Sequence, residues 1–120
     1  MKKVAVLGAS AKPDRYSYKA VESLKKHGYD VIPINTAEKV ILGIQSIKSL
    51  RQLDEPIHTL TVYVNPSVSE ELADDFLNTD AERIIFNPGT ENPELMRRLE
   101  EKGTEVLQAC TLVMLATNQF

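Results

Sequence analysis

Residues 4–15 read VAVLGASAKPDR, and this stretch decides how the rest of the chain is arranged. Val4, Val6 and Leu7 form a short apolar run without polar alternation, the pattern of a strand covered on both faces. The run stops at Gly8-Ala9-Ser10, small residues that let the backbone turn sharply and leave its amides uncovered. A helical pattern opens near Tyr16. A strand, a small-residue turn and a helix start together aim free N–H groups and the positive end of a helix dipole at an anion such as a phosphate. An ordinary strand-to-helix connection, with small residues for packing, fits the same letters.

Working outward, the segment after this turn carries Lys12-Pro13-Asp14, which is turn chemistry, with Asp14 or Ser17 placed to cap the helix that follows. Ala20, Val21 and Leu24 give that helix a buried stripe, and Gly28 supplies its left-handed stop. His27 falls in its last turn, where the dipole favours a cation. A second strand covers Val31 to Ile34, made irregular or exposed by Pro33, and ends at Asn35-Thr36. Residues 37–56 are the least periodic part. Ala37 to Leu42 is expected as a helical turn, Gly43 to Ile47 as a short edge strand, and Ser49 to Leu53 as a short helix.

The grammar becomes regular again with a strand from Thr59 to Val64, broken by Asn65-Pro66-Ser67. Ser67 and Glu70 stand at capping-box spacing ahead of a helix whose apolar face is Val68, Leu72 and Phe76. Its acids, Glu70, Glu71, Asp74 and Asp75, read as a solvated face rather than a metal site. Arg83 to Phe86 is the next strand, followed by the Asn87-Pro88-Gly89-Thr90 loop. Asn92 then caps a helix that opens on Pro93 and ends at Gly103. Glu105 to Leu107 is the last strand, and Leu112, Val113 and Leu115 suggest a short packed helix after Cys110.

Strands alternating with helices imply an α/β fold: one Rossmann-like three-layer domain over residues 1–120, with a mainly parallel sheet of five to six strands. Right-handed crossovers give the order 3-2-1-4-5-6, counting Gly43 to Ile47 as strand 3. Ligands of such sheets lie outside the carboxyl ends of the strands, where the order reverses. The first turn, Asn35-Thr36, Val64 to Ser67 and Asn87 to Glu91 meet there, and Cys110 reaches the same rim.

Bulk properties narrow the function. The chain has 120 residues, 14 Lys+Arg against 17 Asp+Glu and a formal net charge of -3, with no basic block, so nucleic acid is not the expected partner. The single cysteine leaves no internal disulfide, and with 2 histidines it argues against a protein metal cage. No apolar stretch approaches the roughly 20 residues of a membrane span. The opening MKKVAVLGAS superficially resembles a secretory signal, but its apolar run is far shorter than the about 7–15 residues one requires. A cytoplasmic protein without a membrane partner is expected.

At the rim, amides of Ala9 and Ser10, the Ser10 hydroxyl, and the cations Lys12 and Arg15 are available to a diphosphate. Arg15 has Asp14 and Glu22 as alternative surface partners. Asn35 and Asn65 end their strands where a side-chain amide can read a base or ribose, though Asn65 before Pro66 is also a plain turn-former. Nothing assembles into a catalytic constellation: His27 and His58 fall at the amino ends of the strands, away from the crevice. Cys110 reads either as an exchange thiol near a helix start or as a small packed residue.

Taken together, VAVLGASAKPDRYSYKAVESLKKHGYDVIPIN, VILGIQSIKSL, VNP, the GTENPEL loop and a cysteine after the last strand resemble the stand-alone CoA-binding domain proteins. These are similar to the N-terminal domain of the succinyl-CoA synthetase alpha subunit. The resemblance spans essentially the whole chain and is most specific at GAS-x-x-P-x-R, HGYDVIPIN and ILG followed by S-x-x-SL. It implies that Gly8, Ala9, Ser10 and Arg15 hold the CoA phosphates and that Asn35 lies beside the nucleotide. It also implies that Val64, Asn65 and Pro66 follow the adenine or pantetheine path, with the Gly89 loop bordering the same groove. The chain departs from the family at Thr36, where a proline is common. It departs again in Ile85-Phe86-Asn87, where tryptophan and glutamine are usual, and at Ala109, where members carry arginine. The phosphorylated histidine of the synthetase belongs to a second domain, so ligase activity does not carry over. The expected ligand is therefore CoA or an acyl-CoA, bound without catalysis. An NAD(P)-type dinucleotide domain and a thiol-redox protein using Cys110 are the alternatives.

Overall fold

The computed structural model describes residues 2–120. Its centre is a parallel sheet in the order β2-β1-β5-β6-β7. The strands are β1 (Lys3–Leu7), β2 (Asp30–Ile34), β5 (Ile57–Val62), β6 (Ala81–Phe86) and β7 (Glu105–Gln108). β3 (Val40–Ile41) and β4 (Ile44–Gln45) form a small antiparallel hairpin of their own. The helices are α1 (Tyr16–Lys26), α2 (Pro66–Glu71), α3 (Ala73–Asn78), α4 (Pro93–Glu101) and α5 (Thr111–Ala116).

Period-two alternation sorts each strand between two cores. In β1, Val4 and Val6 pack with Val21 and Leu24 of α1 and Leu115 of α5. Ala5 and Leu7 face the opposite layer, with Leu60, Val62, Phe76, Ile84, Leu95 and Leu99. The sheet is thus covered on both faces, as the apolar strand readings require, and each large side chain so buried contributes about 1.5–3 kcal/mol. The parallel Rossmann-like sheet agrees with the sequence reading, and the order reverses between β1 and β5.

The irregular middle of the chain differs in detail. Gly43 to Ile47 does not extend the sheet as a strand. Of these residues Ile47 alone reaches it, through a single parallel bridge to Ile34 on the free side of β2. Ala37 to Leu42 is not a helical turn, because β-branched Val40 and Ile41 pair with Ile44 and Gln45 across a tight turn. Leu42 and Gly43 at its centre have φ of 51° and 77°, the left-handed pair that closes a two-residue hairpin. The segment after Ile47 forms one 3-10 turn at Leu50–Gln52.

Two capping assignments also change. Neither Asp14 nor Ser17 caps α1: Arg15 occupies the cap position and contributes no side-chain bond. The following layer begins at Asn65, two residues before the Ser67 site expected from capping-box spacing. Its Oδ1 accepts from Val68 N–H at 3.0 Å and from the Ser67 hydroxyl at 2.6 Å, so Asn-Pro acts as cap and first helical residue. The single helix expected to carry Val68, Leu72 and Phe76 on its apolar face is divided at Leu72 into α2 and α3. Pro33 is accommodated because β2 is the edge strand of the sheet.

Candidate functional site

The carboxyl ends of β1, β2 and β5 enclose a cleft of about 480 Å³. One side is the β1–α1 connection. Gly8 turns the chain there with φ of 85°, and a Cβ on it would meet the Tyr63 carbonyl oxygen and Val64 Cγ1 at 3.0 Å. Only glycine satisfies both the left-handed backbone and the close approach to the segment just after β5. The turn is tied down on either side. Gly8 and Ala9 N–H both donate to Ile34 O at 3.1 Å, and Tyr63 N–H donates to Leu7 O at 2.9 Å.

That arrangement corrects the expectation that Ala9 offers its amide to a ligand: the N–H is consumed by β2, and Ala9 itself is buried. The exposed donors begin one residue later. Among the described residues no acceptor takes the Ser10 or Ala11 N–H, while the Ser10 Oγ accepts from Lys12 N–H at 3.0 Å. The start of α1 adds its own donors, since it has no side-chain cap and no acid in its first turn. Uncapped amides and the helix dipole together give this corner a fixed positive potential.

Three cations reinforce it: Lys12 and Arg15 from the first connection, and Lys48 from the far wall. Among the described residues no carboxylate lines the cleft. The ion pairs among the described residues lie elsewhere, joining Lys3 to Glu55, Arg51 to Asp75, and Arg97 to Glu94 and Glu101. Arg15 therefore pairs with neither Asp14 nor Glu22. The remaining lining is largely apolar, with Leu7, Ile34, Leu50, Val64, Val68 and Leu72. An apolar wall facing a few convergent polar groups is the usual form of a small-molecule site.

Asn35 lies in this cleft, but its amide is engaged by the protein. Nδ2 donates to Ala9 O at 2.5 Å, and Oδ1 accepts from Ala37 N–H at 2.6 Å and Glu38 N–H at 2.7 Å. It fixes the first connection against the turn after β2. Asn65 and Pro66 stand beside the cleft without lining it, holding the start of α2. Gly89 lies outside it, in the β6–α4 loop, where its N–H donates to Glu91 Oε1 at 2.9 Å. The cleft thus gathers Gly8, Ala9, Ser10, Lys12, Arg15, Asn35 and Val64. Sequence reasoning passed over Lys48, Ser49 and Leu50, although they sit inside the S-x-x-SL segment. The strand expected over Gly43 to Ile47 already puts this segment beside β2, but the side chains just after Ile47 carry no motif that assigns them to the cleft.

Cys110 occupies a second hollow of about 280 Å³ with Tyr16, Tyr63, Asn87, Pro88 and Leu112. It is half-buried and precedes the short α5. Among the described residues none bonds the shielded Tyr63 hydroxyl in good geometry, although the Thr61 and Thr111 side chains lie near it, and burial pushes its pKa up to about 12. The nearby Thr61 and Thr111 hydroxyls bond each other at 2.8 Å, and Thr61 also accepts from Asn87 Nδ2 at 2.7 Å. The histidines lie at the other edge: His27 follows α1 with its Nδ1 at 2.7 Å from Ser23 O, and His58 sits near the start of β5. Among the described residues no group of His, Cys, Asp and Glu is arranged to hold a metal, and no helix is long and apolar enough to cross a membrane.

Comparison with known proteins places this geometry in a family setting. The family described as "CoA binding domain" matches residues 2–116. The chain is 34% identical over 113 residues to the uncharacterised protein YneT of Bacillus subtilis (strain 168), covering 93% of this chain and 84% of that one. A crystal structure of an uncharacterised protein superposes with a TM-score of 0.94 at 42% identity, over 100% of this chain and 98% of the other. The fold also recurs in the dinucleotide-forming acetyl-coenzyme A synthetase 1 of Ca. Korarchaeum cryptofilum, in complex with phosphate and ADP. There the TM-score is 0.78 at 20% identity, over 90% of this chain and 25% of that one, a likeness of fold alone.

Proposed function

This chain belongs to the CoA-binding domain family, and we propose that it binds coenzyme A or an acyl-CoA in the cytoplasm, as one unit over residues 1–120 and without chemistry of its own. The observation that carries this reading is the unneutralised positive corner of the cleft. Lys12 and Arg15 stand beside an uncapped helix start, and no carboxylate among the described residues lines the cleft. A diphosphate over Ser10, Ala11 and the first turn of α1 satisfies donors that the protein leaves open.

Each remaining residue then has a role. Gly8 permits the close turn, Ala9 anchors it to β2, and Asn35 holds its carbonyl. Val64, with Leu50, Val68 and Leu72, offers the apolar wall for the adenine ring. The pantetheine arm leaves past Asn65 and Pro66 towards the loop of Gly89. Calorimetric titration with CoA, NAD and NADP tests the assignment. CoA is expected to bind more tightly than either dinucleotide, and equal or tighter binding of NAD overturns it.

A further inference from the structure

A diphosphate over the first connection accounts for Lys12 and Arg15, which belong to that segment, and leaves Lys48 without a counter-charge. Lys48 comes from the opposite wall of the cleft. Its segment runs beside the carboxyl end of β2: Asn35 N–H donates to Ile47 O at 2.9 Å, and Ile47 N–H donates to Pro33 O at 3.0 Å. Lys48 N–H is itself held by Gln52 Oε1 at 2.5 Å. The exposed ammonium group is thus carried on a backbone fixed next to the end of β2, with no ion-pair partner among the described residues.

The end of the second strand is where sheets of this order place the adenosine ribose. The side chains there decide which ribose fits: an acid accepts the hydroxyls of a free ribose, whereas a cation accommodates a phosphorylated one. Here β2 is followed by neutral Asn35 and Thr36, and the cation arrives from the next segment as Lys48. Ser49, on the same wall, makes no capping bond with its hydroxyl and adds a donor.

On the basis of the CoA reading above, we infer that Lys48, assisted by Ser49, selects a nucleotide bearing a phosphate monoester on its adenosine ribose. It thereby separates CoA from dephospho-CoA. A monoester carries more charge than any neighbouring ribose group, and it relieves the repulsion of three cations sharing one cleft.

Titrating the wild type, Lys48→Met and Lys48→Arg with CoA and dephospho-CoA at low salt tests this, with melting temperatures confirming that each variant folds. The wild type is expected to prefer CoA by about tenfold. Lys48→Met should lose most of that preference by weakening CoA alone, leaving dephospho-CoA within about twofold. Lys48→Arg should retain it. A wild type that does not distinguish the ligands, or a Lys48→Met variant that weakens both equally, overturns the assignment to Lys48 while leaving CoA binding intact. Failure of the wild type to bind either ligand instead removes the parent reading, and the assignment with it.

Discussion

Asn35 Nδ2 donates to the carbonyl oxygen of Ala9 at 2.5 Å, joining the end of β2 to the turn after β1. The same side chain accepts from two amides of the following turn, so one residue sets the position of both walls of the cleft. Asn35→Ala should lower stability by about 1–2 kcal/mol, by leaving these groups without partners, and weaken CoA binding although the amide is already engaged by the protein. Asn35→Asp keeps the acceptor but loses the donor and adds a negative charge, so it should harm anion binding more than stability. Calorimetry beside thermal melts separates the two effects. Equal CoA affinity in wild type and both variants would remove Asn35 from the site.

Arg15 is exposed and has no acidic partner among the described residues, and its contribution is expected to be correspondingly modest. Arg15→Ala should weaken CoA about three- to tenfold at low salt, with the difference shrinking as salt screens the contact. Titrations over a range of ionic strength check this. An affinity unchanged at low salt would place Arg15 outside the phosphate site.

Gly8→Ala should be destabilising twice over. The backbone at φ of 85° costs an L-residue about 1–2 kcal/mol, and the new methyl meets the Tyr63 backbone carbonyl, which cannot swing aside, as well as the Val64 side chain. Chemical denaturation should show a lowered midpoint, while Gly89→Ala, with open space around it, should lose only the backbone part. Equal losses at the two positions would mean that the approach of β1 to Tyr63 is looser than described.

How much of this was legible beforehand follows from where the signals are local. Strand, small-residue turn and helix are encoded within residues 4–26, and the sheet follows from the alternation of such units. What escaped depends on partners distant in sequence. Ala9 lost its ligand donor because Ile34 accepts it, and Asn35 became a brace because Ala9 lies within its reach. The hairpin at Val40 to Gln45 required a leucine at φ of 51°, a conformation that leucine does not advertise. Lys48 enters the cleft only because Ile47 bridges to Ile34.

Tyr63 gives a pH signature. Its folded-state pKa of about 12 lies above the ordinary 10.0, through burial. Below pH 10 both folded and unfolded states keep the proton and the group adds no pH dependence. Between 10 and about 12 the unfolded chain loses it first, so stability falls as pH rises through this window. Ultraviolet titration of the 4 tyrosines should show one late component that disappears in Tyr63→Phe. Since the hydroxyl is buried without a partner, that substitution should leave the melting temperature unchanged or raised. A loss above about 1 kcal/mol would show that the hydroxyl is bonded in solution.

CoA binding at this cleft requires an anion to be held where β1 gives way to α1. A crystal structure of the chain grown with CoA measures this directly. The predicted result is diphosphate density within hydrogen-bond reach of the Ser10 and Ala11 amides and the first turn of α1, flanked by Lys12 and Arg15. Density for CoA elsewhere on the molecule, with those amides turned away from it, would contradict the account.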